Sequence, residues 1–475
     1  MYRCRKWICS TIFQDAGMFE NDDFESEFGW EASETMALKA YDLYEQGRMC
    51  EAIEQLDLAI EANPENTSLY FNKALAFDAL ERFEEAIECY NNALEARPND
   101  PEIYNSLAVD YTRTGLYDLA ITTFAKAIEI DAAFEPAYCN QIITYAEMGK
   151  FDKAEEVFYL AQQINPDCPL CFYNIGNAMF CQGDMKRAIW CWKKTQSLEP
   201  GHPQINYRIA QAYWGLGEND NANEYFLRHL RQDAGDIDVL IDYAIFLLQS
   251  GNVASATEKF NRIIELDPDF AIAYHYLGEI YLNADNISRA IPMFEKAMEI
   301  DDFAGPGFRL GQCYLKQGKL ADAAGILKLE MQYTIEDVDV LISMGTMFLE
   351  MNENDFASNC FLKATDVDPK NYLPFYYMGF SMYNSGEAAD AIHFFNYAID
   401  LNGKHVESRK MLAVCYASLK QFSQAVEYID KILADEPANA DVIKLGRQIR
   451  FDAVKSGICS FCSEAGYGAK HLLGR

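Results

Sequence analysis

An alanine followed four residues later by a large apolar residue recurs along the whole chain, and a spacing of four puts both members on one face of a helix. The pair occurs at Ala52/Leu56, Ala86/Tyr90, Ala120/Phe124, Ala154/Phe158, Ala188/Trp192 and Ala222/Phe226. It continues at Ala256/Phe260, Ala290/Phe294, Ala323/Leu327, Ala357/Phe361, Ala391/Phe395 and Ala425/Ile429. The twelve copies stand 34 residues apart, with one spacing of 33 between Ala290 and Ala323. A fixed period of this length is the mark of a repeat architecture, and it predicts two helices and their turns in each unit.

The rest of the unit follows from that register. Twelve residues before each alanine stands a small residue, such as Ala74, Ala108, Gly176, Ala210, Gly278 or Gly345; only Ile142 departs. Three residues further comes a large one, such as Phe77, Tyr111, Tyr213, Tyr281 or Phe348. Small residues let two helices approach and large ones fill the space beside them. Between the two helices lies a turn that often carries glycine: Gly47, Gly115, Gly149, Gly183, Gly217, Gly251, Gly318 and Gly386. Glycine tolerates the left-handed conformation that ends a helix. Thirteen of the fourteen prolines fall at the close of a repeat or near the start of the next first helix, as Pro98 and Pro101 do. Only Pro292 sits inside a predicted helix, early in a second helix, where a modest kink is expected.

This pattern resembles the tetratricopeptide repeat family. From Pro101 to Phe134, Tyr104, Leu107, Ala108, Tyr111, Gly115, Tyr117, Ala120, Phe124 and Ala127 occupy that family's aromatic, small and alanine positions. The resemblance covers roughly residues 33–437 and implies an all-α solenoid, a right-handed superhelix of about twelve helix pairs. A stack of pairs needs a polar end, and residues 438–454 predict a capping helix. There Val442, Leu445, Ile449 and Ala453 form an apolar stripe, and Lys444, Arg447, Gln448 and Arg450 face out. Residues 1–32 do not fit the repeat and read as a flexible acidic arm with Phe24, Phe28 and Trp30 interspersed; Met18 is a candidate for the true start. Residues 455–475 read as a flexible tail containing cysteine and glycine.

Composition narrows the function classes. With 73 acidic and 40 basic residues the net charge is −33, which argues against non-specific binding to nucleic acid or to an anionic membrane. Acidity also keeps a long exposed surface soluble. No run of about 18 apolar residues is present, so no segment is expected to cross a bilayer. The apolar stretch Trp7 to Phe13 is too short for a signal-peptide core, and a cytoplasmic location is the default expectation. The fourteen cysteines are scattered, mostly singly and within helical patterns, as suits a reducing compartment.

The resemblance also implies where a partner binds. In the family the first helix of each pair lines a concave groove, at the fifth, sixth, ninth and twelfth positions of the unit. Those positions carry Phe71, Asn72, Asn105 and Thr112 in repeats two and three. In repeats four to six they carry Asn140, Tyr173, Asn174, Asn177, Phe180, Tyr207, Arg208, Gln211 and Trp214. Amide side chains can bond both the N–H and the C=O of an extended peptide, and aromatics offer rigid contact surface. The same residues also suit packing between helices with the asparagines merely solvated. Tyr376, Tyr377, Phe380 and Tyr383 form a second aromatic patch that reads as core. Asn174 followed by Arg208 matches part of the clamp by which some family members hold a chaperone's C-terminal carboxylate. Cys139 and Gln204 stand at its lysine positions and Ile143 at an asparagine position, so the clamp is incomplete. Asn72, Asn140 and Asn174 match part of the asparagine ladder of the O-linked N-acetylglucosamine transferase superhelix.

Catalytic chemistry finds little footing. The six histidines, His202, His229, His275, His393, His405 and His471, show no metal-ligand spacing. Gly305, Gly307 and Gly311 lack the spacing and the preceding strand of a nucleotide loop. Two CxxC pairs are present, Cys168–Cys171, with Cys181 and Cys191 nearby in sequence, and Cys459–Cys462, which precedes His471. A zinc site needs four ligands, so each pair alone reads as ordinary cysteines, and no metal or cofactor is expected. The expected function is a non-catalytic scaffold or adaptor that binds protein segments in the groove. The alternative is a regulatory or substrate-presenting subunit of an enzyme complex such as a glycosyltransferase. Partner identity and oligomeric state are not written in the sequence.

Overall fold

The computed structural model describes residues 29–301 and 305–456. The N-terminal arm up to residue 28, Met18 with it, and the Cys459/Cys462 tail lie outside the described residues. Regular structure among those described is entirely helical, 25 helices with no strand. Twelve pairs run from Gly29–Glu45 with Met49–Ala62 to Val406–Ser418 with Phe422–Asp435, and a further helix, Ala440–Lys455, follows. The first helix begins at Gly29, four residues inside the segment that the repeat pattern leaves unassigned.

The twelve marker alanines, from Ala52 to Ala425, all have zero exposed surface. The large residue four positions on is buried in every repeat; Tyr90, Phe124, Trp192, Phe226 and Phe260 are at most 1% exposed. Each such side chain contributes roughly 1.5–3 kcal/mol relative to an exposed one. The small residue of the first helix is small because of this ring. A methyl on Gly176 would lie 2.6 Å from the Trp192 indole, and one on Gly278 2.6 Å from the Phe294 ring. Gly311, Gly345 and Gly379 face Leu327, Phe361 and Phe395 in the same way.

A third inner position, seven residues after the marker alanine, is alanine in most repeats, among them Ala59, Ala93, Ala127, Ala297 and Ala398. Three repeats bury a polar side chain there and pair it. Thr195 donates to the Pro169 carbonyl at 3.2 Å. His229 Nε2 lies 2.9 Å from Asp236 Oδ2. Glu330 accepts the Gly305 N–H, beside the one spacing of 33.

The turn between paired helices is left-handed in all twelve repeats. Eight carry the glycines named above, and the other four hold Glu81, Asp285, Asn352 and Lys420 at φ of 54° to 61°. First helices are capped where the sequence supplies an acceptor: Asp100 Oδ1 receives the Glu102 and Ile103 N–H groups, with Pro101 in the first turn. Pro292 lies inside the helix Ile287–Ile300.

The chain divides into two compact units that meet at Val239 and Leu240, within the helix Ile237–Gln249. In the first unit each helix packs on its sequence neighbour, and the first helices of repeats three, four and five also touch one another. In the second unit the first helices of repeats eight to twelve meet in succession. The final helix buries Val442 and Ile449 and packs Gly446 against Ile429. No described helix is long and apolar enough to cross a membrane.

Candidate functional site

Contact between successive first helices decides which groove positions stay open. The fifth position is interior: Asn105, Cys139, Tyr173 and Tyr207 are all buried. Tyr173 packs on the His202 ring with centroids 4.4 Å apart, and Tyr207 lies between Phe226 and His229. Asn174, at the sixth position, is also buried, and its amide donates to the Cys139 carbonyl of the preceding repeat at 3.0 Å. Tyr173, Asn174 and Tyr207 are thus corrected from groove-lining to interior, because His202, the first helix of repeat four, and the second helix of repeat six respectively pack on them.

Asn72, Asn140, Asn177, Phe180, Arg208, Gln211 and Trp214 are half-buried and keep an exposed part. Asn140 donates to Asn105 of repeat three at 3.0 Å. Phe180 packs on Trp192 and Trp214 on Phe226, so these rings brace the second helix behind them. With Asn140 and Asn174 tied to other repeats, the asparagines do not form an open ladder. The partial chaperone clamp fares alike, since its Asn174 is spent internally.

Arg208 gathers what is left. Its guanidinium donates to Gln211 Oε1 at 3.2 Å. Burial pushes the Tyr173 phenol up, while the nearby Arg208 charge and bonds from Arg208 and Asn177 pull it back. Tyr173, Asn177, Arg208 and Gln211 therefore meet across the first helices of repeats five and six, Pro169–Gln182 and Ile205–Gly215. Among the described residues no hydrogen-bond donor reaches the buried oxygens Asn177 Oδ1 and Gln204 Oε1. Gln204 stands one helical turn before Arg208. Both oxygens lie beneath the surface, so the part of the patch open to a ligand is the exposed part of Asn177, Arg208 and Gln211.

The second aromatic patch is engaged in packing. Tyr377 stacks on Phe361, and Tyr376 meets Phe395 and His405, while Phe380 and Tyr383 pack on the cluster around Phe395. Four of the five described histidines are likewise engaged, His202 by Tyr173, His229 by Asp236, His275 by Phe294, and His405 Nδ1 by the Ser408 hydroxyl at 2.7 Å, while His393 is exposed. Sequence proximity misleads for the first cysteine pair. Cys168 and Cys171 meet Cys139 and Glu135 of the preceding repeat, while Cys181 is exposed. Only the repeat period could have signalled this, since Cys139 and Cys171 are separated by nearly one unit.

Models of the tetratricopeptide repeat match residues 38–133, 136–168, 259–291 and 383–449, and a model of YpiA-like C-terminal tetratricopeptide repeats matches 203–269. The protein CTR9 homolog of Arabidopsis thaliana is 22% identical over 306 residues, covering 54% of this chain and 28% of that protein. The BBSome complex member BBS4 of Bos taurus is 22% identical over 262 residues, 55% of this chain and 50% of its own. The peroxisomal targeting signal receptor of Saccharomyces cerevisiae is 26% identical over 225 residues, 45% of this chain and 36% of its own. The chain spans half or less of the length of these relatives.

Proposed function

Because this chain belongs to the tetratricopeptide repeat family, we propose that it is a non-catalytic scaffold that binds an extended protein segment across the first helices of repeats five and six. The observation that carries this reading is the polar patch around Arg208, where Asn177, Arg208 and Gln211 keep an exposed part and Arg208 bonds Gln211. An extended peptide offers N–H and C=O groups in alternation, so it bonds the exposed amide side chains of the patch while its carbonyls or an acidic side chain accept from Arg208. The net charge of −33 keeps nucleic acid and anionic membrane disfavoured as partners. Relatives named as a complex member and as a targeting signal receptor support a role in holding other proteins. Catalysis is not part of the reading, because His202, His229, His275, His405 and the Tyr173 phenol are taken up by packing and internal bonds. No observation favours the glycosyltransferase-subunit alternative.

The test is capture from native lysate on wild-type protein beside Asn177→Ala/Arg208→Ala/Gln211→Ala. Tyr173, Asn174 and Tyr207 stay untouched, since truncating them opens cavities in the interior. A residue central to an interface typically contributes at least about 2 kcal/mol, or roughly thirtyfold in Kd. The triple variant is therefore expected to lose its specific partners while its helical content and melting temperature stay at wild-type values. An identical set of partners on both proteins defeats this placement of the site.

A further inference from the structure

The first helices of repeats four and five bring four sulfur and oxygen donors to one point. Glu135 opens the helix Glu135–Glu147, and Cys139 stands one turn later on the same face. Cys168 caps the next first helix, Pro169–Gln182, and Cys171 lies in its first turn. One potential ligand atom from each of the four lies within 4.8 Å of all the others. The Cys139 sulfur is 3.6 Å from that of Cys168 and 2.7 Å from that of Cys171. All three cysteines are 1% exposed, and Glu135 sits half-buried at the rim.

Ordinary packing does not call for such a gathering. The other buried cysteines, Cys89, Cys191, Cys313, Cys360 and Cys415, serve singly as small apolar side chains. Among the described residues this is the one group of three or more potential ligands that could hold an ion.

We propose that Glu135, Cys139, Cys168 and Cys171 bind a zinc ion that ties repeat four to repeat five. Three thiolates and a carboxylate complete a closed tetrahedral shell of the structural kind, and the three thiol protons pass to solvent on binding. Sulfurs bound to zinc at about 2.3 Å stand about 3.8 Å apart. The Cys139–Cys168 pair is already near that separation, and Cys139 and Cys171 reach it by opening about 1 Å through side-chain rotation. Thiolate ligands disfavour calcium and magnesium, which take oxygen. Bonds that would orient the ligands are in place: the Asn165 amide donates to Glu135 Oε2 at 2.9 Å, and the Cys171 N–H donates to Cys168 Sγ at 3.1 Å. With four protein ligands no position is left for a substrate, so the ion is structural. It fixes the two helices that carry Asn140 and the Tyr173–Asn177 segment, so it sets the register of the candidate groove.

The test is elemental analysis of the full chain, purified without a histidine tag and dialysed. Wild type is expected to carry about one zinc per chain and Cys139→Ser/Cys171→Ser essentially none. Cys459→Ser/Cys462→Ser and Cys89→Ser/Cys191→Ser are expected to keep the full complement. Should the double variant at Cys139 and Cys171 fail to fold, Glu135→Gln at the rim serves instead, with unchanged helicity and zinc given up to a competing chelator at least about tenfold more readily. The proposal falls if wild type holds less than about a tenth of an equivalent. It falls too if zinc follows Cys459 and Cys462 instead, if Glu135→Gln leaves zinc retention unchanged, or if thiol counting finds a disulfide between Cys139 and Cys171.

Discussion

His275 occupies the fifth position of repeat eight, where repeats five and six carry Tyr173 and Tyr207. Its ring packs against Tyr276 and Phe294. Glu279 Oε1 is 3.9 Å from Nε2, close enough to favour the charged imidazole, but Arg309 pairs with that carboxylate. Burial, reinforced by the Arg309 charge, lowers the His275 pKa from 6.5 to about 4. The unfolded chain therefore binds a proton more readily than the folded one between those values. Stability is at its full level above pH 6.5, declines as pH falls toward 4, and levels off below. The loss is on the order of 3 kcal/mol. His275→Tyr, which installs the side chain of repeats five and six, is expected to remove that part of the slope in urea unfolding of the second unit between pH 7 and 4.5. Parallel curves for the two proteins would sink the assignment. At this scale the sequence was least informative. Spacing put Asn174 and Tyr173 on the partner-facing helix, but it could not show that Tyr173 packs on His202 and that Asn174 is spent on the Cys139 carbonyl. It likewise could not show that the sulfur of Cys139, 29 residues before Cys168, lies 3.6 Å from that residue's sulfur.

One level up, the helix pair was legible because its packing is local. The alanine and the large residue four places on share one helix, and the small residue that receives the ring lies 16 positions earlier in its partner. The turn shows where such reading stops. Glycine marks it in eight repeats, yet Glu81 and Lys420 adopt the same left-handed backbone with no signature to announce it. Within the pair, phenylalanine is met by alanine in some repeats and by glycine in others, as Phe294 is by Gly278, and the one indole meets glycine. Phe124 and Phe226 lie opposite alanine, at Ala108 and Ala210, whereas Trp192 lies opposite Gly176. The indole N–H donates to the Tyr173 carbonyl at 3.3 Å, which fixes the ring across that glycine. Gly176→Ala gains about 1 kcal/mol of helix propensity but forces the fully buried indole aside, and overpacking typically costs about 1–3 kcal/mol. The single variant is thus expected to unfold at lower urea. Adding Trp192→Phe recreates the alanine–phenylalanine pair of repeats three and six. The double variant is expected to be more stable than the sum of the singles by at least about 1 kcal/mol. Strict additivity in the double-mutant cycle would show that the glycine is not there for the indole.

Across the molecule, helix contacts join elements one or two places apart in the chain, and the buried clusters run from repeat to repeat in each unit. Stability of such a chain is close to a sum of repeat terms and nearest-neighbour terms. A local defect then loosens its neighbours and leaves distant repeats alone. Amide hydrogen exchange reads this directly. Gly176→Ala is expected to speed exchange in the helices of repeats four to six, from Glu135 to Gln232, and to leave those of repeats ten to twelve, Val338 to Asp435, at wild-type rates. Faster exchange in every repeat at once would mean that the chain opens as a single cooperative body. Local opening also bears on function, because the Arg208 patch and the Glu135/Cys139/Cys168/Cys171 cluster lie within the same three repeats. If zinc ties repeats four and five, wild-type protein stripped by a chelator should reproduce the exchange pattern of Gly176→Ala in repeats four to six without any change of sequence. Partner capture should weaken in step, although no residue of the Arg208 patch has been altered.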